Sequence, residues 1–77
     1  MTLDDITLAV HSHTRAHLVG VSIRPMPGMV VVDLLTPRAH KATFALSNEV
    51  IADANYPEDI IGLHTDEALR SLGYGRG

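Results

Sequence analysis

From Asp5 the chain alternates, with Ile6, Leu8 and Val10 on one side and Thr7, Ala9 and His11 on the other. A period of two over seven residues is the pattern of a half-buried strand. A helix starting at Thr2, with Asp4 and Asp5 in its first turn, is the competing reading. The strand over Asp5–His11 is preferred because Ile6, Leu8 and Val10 do not share one helical face. A polar break, Ser12-His13-Thr14-Arg15, leads to a second run from Ala16 to Arg24, where His17, Val19, Val21 and Ile23 oppose Leu18, Gly20 and Ser22. Its β-branched residues favour a strand. Pro27-Gly28 then places Pro at the second and Gly at the third position of a four-residue turn, the type II pattern. A third strand, Met29–Leu35, follows, so these two runs form the best-supported hairpin.

Thr36-Pro37-Arg38 is a further break, and the alternation of Lys41, Thr43 and Ala45 with Ala42, Phe44 and Leu46 predicts a fourth strand. The period then changes. Ser47 is a suitable N-cap for a short helix through Ala54. Asn55-Tyr56-Pro57 ends it, and Pro57 with Glu58 and Asp59 suits the first turn of another helix. Thr65 is the expected N-cap of a last helix, Asp66–Leu72, terminated by Gly73. Short breaks between strands imply antiparallel pairing. The expected fold is α+β: a small antiparallel sheet of about four strands in the N-terminal half, packed by two or three short C-terminal helices. The apolar Met29–Leu35 strand should be central, with Asp5–His11 or Lys41–Leu46 at an edge.

Size sharpens this picture. A chain of 77 residues supports one domain, 1–77, and hides only roughly 60–65% of its unfolded surface. The tail 74–77 is expected to be mobile. With no Cys there is neither a disulfide nor a thiolate site. A hydrophobic fraction of 45% argues against disorder, and the scarcity of aromatic residues makes the core aliphatic. Met1, Met26 and Met29 are expected as gap-fillers or turn residues. The acidic start, Asp4-Asp5, is unlike a signal peptide. No apolar run approaches the about 20 residues of a membrane span. A cytoplasmic protein is expected.

Charge divides the chain near Ser47. Residues 11 to 41 carry Arg15, Arg24, Arg38 and Lys41 against Asp33, whereas residues 42 to 67 carry Glu49, Asp53, Glu58, Asp59, Asp66 and Glu67 with no Lys or Arg. Helix N-termini attract acids, so capping alone accounts for much of this. The functional reading is an acidic surface, formed by those six residues, that docks on a basic protein patch, since complementary charge accelerates and selects association. Direct nucleic-acid binding is not expected: the net charge is −3, and the basic residues lack interleaved aromatics.

Three of five histidines fall in His11-Ser12-His13-Thr14-Arg15-Ala16-His17. At a hairpin tip, His11, His13 and His17 could hold Zn²⁺, Ni²⁺ or Cu²⁺ or respond to pH. Their spacing matches no metal motif, no nearby carboxylate offers a supporting contact, and solvated histidines are the simpler reading. No serine stands in a nucleophile elbow and no Gly-rich phosphate loop is present, so neither an enzyme nor a cofactor is expected. What remains is a non-catalytic protein-binding module, regulatory or inhibitory, of the size of phage and mobile-element accessory proteins. It would dock through its acidic helical surface or a sheet edge. The alternatives are a self-assembling structural subunit, for which a homodimer is one arrangement, and a histidine-based metal or pH sensor.

Overall fold

The computed structural model describes residues 2–17 and 19–74. Its first element is a helix, α1 (Leu3–Thr14), where a strand over Asp5–His11 was expected. Thr2 decides the matter. Its hydroxyl accepts the Asp5 N–H at 3.2 Å while the Asp5 carboxylate accepts the Thr2 N–H at 3.0 Å, a reciprocal capping box. The buried row is Ile6, Val10 and Thr14, spaced by four. Leu8, which completes the period of two on paper, is 69% exposed. Thr14 continues the helical row into what reads as a polar break, because its hydroxyl donates to the Val10 carbonyl at 3.1 Å and so can be buried.

A 3-10 turn, Arg15–His17, leads to β1 (Gly20–Met26), β2 (Met29–Leu35) and β3 (Lys41–Ser47). These form an antiparallel meander in the order β1-β2-β3. The sheet therefore has three strands, not about four, and helices precede as well as follow it. The Pro27-Gly28 turn is as expected, with Gly28 at φ 75° and Met26 paired with Met29. The Gly28 carbonyl accepts the Asn48 N–H at 3.1 Å, tying the hairpin tip to the start of α2 (Asn48–Asp53). Ser47 caps α2 as expected, its Oγ accepting from the Val50 N–H at 3.5 Å.

The last element, α3 (Pro57–Ser71), starts at Pro57 as expected but runs unbroken through Thr65. Thr65 is not an N-cap. Its hydroxyl donates to the Ile61 carbonyl at 2.7 Å, so the side chain is satisfied while buried in mid-helix. Gly73, at φ 91°, ends the helix. The next residue, Tyr74, falls in the expected tail, yet its ring lies 4.8 Å from that of His17. Residues 75–77 lie outside the described residues.

The α1 helix packs on β1 and α3 on β3. Two strand spacings separate β1 from β3, about 9–10 Å, which is also the distance at which helices pack side by side. The helix pair therefore fits over one side of the sheet. Val30, Val32 and Leu34 of β2 point into this core and meet Ile6 and Val10 of α1 and Ile61 and Leu69 of α3. The result is a slab of two layers, with principal extents 34 × 23 × 17 Å.

Candidate protein-docking surfaces

Asp5, Leu8 and Ala9 of α1 face Pro57 and Glu58 of α3, while further along His13 faces Gly62 and Asp66. The two helices thus run in the same direction, and their N-termini share one end of the molecule. Gly62 sets how closely they approach: a Cβ there would lie 2.6 Å from Nε2 of His13. With the imidazole over Gly62, its Nδ1 comes within 3.1 Å of Oδ1 of Asp66, where a ring N–H donates to the carboxylate. This contact bridges residues 53 positions apart.

A groove runs over this seam. One section of about 600 Å³ is lined by Asp5, Leu8, Ala9, Pro57 and Glu58. A second of about 230 Å³ is lined by His13, Glu58, Asp59, Gly62, Leu63 and Asp66. Glu58 borders both. Leu8 and Leu63, 69% and 62% exposed, supply its apolar lips. Asp5 is engaged by Thr2, whose backbone N–H and hydroxyl hold its carboxyl below the ordinary range. Asp66 is engaged by His13. Among the described residues, neither Glu58 nor Asp59 pairs with a cation.

Of the six acids expected to form a docking surface, Glu58, Asp59 and Asp66 are brought together here, joined by Asp5. Glu67 is exposed on α3 outside the groove lining, and Glu49 and Asp53 are exposed on α2. The unbroken α3 also changes why acids occur where they do. Asp66 and Glu67 lie in the third turn of one helix, so they are not the first-turn acids that capping would explain. Leu8 and Leu63 were not singled out by sequence reasoning, because each falls in a pattern that reads as ordinary amphipathic burial.

The histidines do not converge. A helix turns about 100° per residue, so His11 and His13 project to different sides of α1, where alternation on a strand would have placed them together. His13 faces α3, His17 faces Tyr74, and His11 is exposed. Among the described residues no three His, Asp or Glu side chains are placed to hold a metal ion. His64 stacks on Phe44 of β3, with centroids 5.9 Å apart and planes 12° from parallel.

The opposite side of the slab is the outer face of the sheet. Pairing aligns Met26 with Met29, Arg24 with Val31 and Ala45, Ser22 with Asp33 and Thr43, and Leu35 with Lys41. Met26, Met29 and Leu35 are 49%, 40% and 48% exposed; the two methionines flank the Pro27-Gly28 turn, as expected of turn residues, and do not fill a gap in the core. At the centre, Thr43 donates to one oxygen of Asp33 at 2.6 Å, and Nε of Arg24 lies 3.2 Å from the other. The Thr43 hydroxyl, and after it the Arg24 and Lys41 charges, hold Asp33 below the ordinary carboxylate range against the opposing effect of desolvation.

No helix among the described residues is long and apolar enough to cross a membrane. No protein-family model matches the chain, and neither the curated proteins nor the solved structures contain a significant match.

Proposed function

We propose that this chain is a non-catalytic protein-binding module that docks the groove between α1 and α3 on a basic protein surface. The observation that carries this reading is the pair of exposed leucines, Leu8 and Leu63, beside two acids, Glu58 and Asp59, that no cation among the described residues pairs with. Apolar lips supply contact area, and the acids steer and select the partner. Occupying another protein's surface in this way suits a regulatory or inhibitory role. A sheet edge is the weaker docking element, because the free edge belonging to β1 carries Pro25, which has no N–H to offer an added strand.

The reading is tested by association kinetics with a partner recovered from the source cell. Glu58→Lys with Asp59→Lys should slow association about tenfold or more at low salt, the range of electrostatic steering. An on-rate unchanged by the double reversal overturns it.

A further inference from the structure

The β2 sequence, Met-Val-Val-Val-Asp-Leu-Leu, is apolar on both sides. Strands with one solvated face alternate, whereas near-continuous apolar runs belong to strands covered on both faces. The outer side of β2 presents Met29, Val31 and Leu35, and its sole charged group, Asp33, is already partnered by Thr43 and Arg24. Its side chain is only 14% exposed. Desolvating this face would therefore strand no unpaired carboxylate.

The charge on that face has a small cationic excess, Arg24 and Lys41 against Asp33, while on α1 and α3 Asp4, Asp5, Glu58, Asp59, Asp66 and Glu67 stand against Arg70. The turn that carries Arg38 is held firmly. Thr36, buried, accepts the His40 N–H on its hydroxyl at 3.0 Å, and its own N–H donates to the His40 carbonyl at 2.8 Å. Ala39 adopts φ 66°, a left-handed conformation that costs a non-glycine residue about 1–2 kcal/mol.

We infer that the occupant of the outer sheet face is a second copy of this chain, seated by its acidic α1–α3 groove. This rests on the groove reading above and names its partner. The two layers carry opposite charge and each exposes apolar side chains, so copies stack sheet onto helices, head to tail. Because the two contacting surfaces differ, the contact is heterologous, and each copy keeps one free face for the next.

The test is sedimentation velocity on three forms of the full chain. Wild type should associate with rising concentration, and more weakly at high salt. The variant Leu35→Glu with Lys41→Glu blocks the sheet face; Glu58→Lys with Asp59→Lys blocks the groove. Each alone should remain monomeric, and their equimolar mixture is designed to leave two unmodified surfaces, one on each variant. That mixture should give a 1:1 heterodimer and nothing larger. Leu63→Lys, outside the first turn of α3, provides a second groove block if the double reversal weakens the fold, as read by the thermal melt.

A wild type that stays monomeric to millimolar concentration overturns the inference, as does a mixture in which no heterodimer forms. Groove variants that associate like wild type overturn it too. If wild type is monomeric while Glu58→Lys with Asp59→Lys still slows binding to a foreign partner, self-association is refuted and the protein-binding reading stands. If both the assembly and that kinetic effect are absent, both readings fail.

Discussion

Val30, Val32 and Leu34 on the inner side of β2 are chemically close to Met29, Val31 and Leu35 on its outer side, yet their surroundings differ. The inner three are buried under α1 and α3, whereas Met29 and Leu35 remain substantially exposed and Val31 half-buried. Hydrophobicity marks both sides for cover. Which side the chain covers for itself is decided elsewhere, by the capping of α1 and by the continuity of α3. The inner side thus belongs to folding, and the outer side is the one proposed for association.

The sharpest separation is between neighbours on that strand. Leu34→Ala should destabilise the fold by about 2–5 kcal/mol, the range for a buried leucine, measured as a shift in denaturant midpoint. Leu35→Ala should change the dissociated protein by within about 0.5 kcal/mol and act on association instead. Equal losses at the two positions would erase the distinction between the sides.

The inner cover depends on the closeness of α1 and α3 at Gly62. In wild type, Gly62→Ala must displace the His13 ring and break its contact with Asp66, which opposes the helix-propensity gain. In a His13→Ala background the same substitution should stabilise by about 1 kcal/mol, the difference between Ala and Gly in a helix. A double-mutant cycle by chemical denaturation reads this directly, and simple additivity would contradict the crossing. Thr2→Ala should cost about 1 kcal/mol through loss of the α1 cap. A strand at this segment would make the change nearly silent.

The smallest effect belongs to the polar centre of the outer side. The pKa of Asp33 is lowered in the folded chain, so its contribution is fully present above the ordinary value of 3.8 and lost as pH falls through the lower folded value. The stability difference between wild type and Asp33→Asn should therefore be larger at pH 6 than at pH 2.5. A difference that does not change with pH would show that the Thr43 and Arg24 contacts do not favour the carboxylate.

Much of this arrangement is legible in the sequence. The Pro27-Gly28 turn, the centrality of β2, the Ser47 cap and the Pro57 helix start follow from local rules that tertiary structure does not override. The first segment misleads because Leu8 is solvent-exposed and Thr14 is buried, so polarity and burial disagree at both positions. Thr65 misleads for the same reason, since a threonine bonded to the carbonyl four residues back can lie inside a helix. The acids of the groove are visible as a composition shift after Ser47. Their grouping with Asp5, Leu8 and His13 is not, because it depends on α1 being a helix parallel to α3. The loss of the histidine cluster has that same cause.

The central claim, that the outer side of β2 and the α1–α3 groove meet between copies, is tested most directly by amide chemical shifts followed through a concentration series. The shifts of Met29, Val31 and Leu35 should move together with those of Glu58, Asp59 and Leu63, along one saturating curve. Shifts confined to one of the two surfaces, or absent at millimolar concentration, would contradict the account.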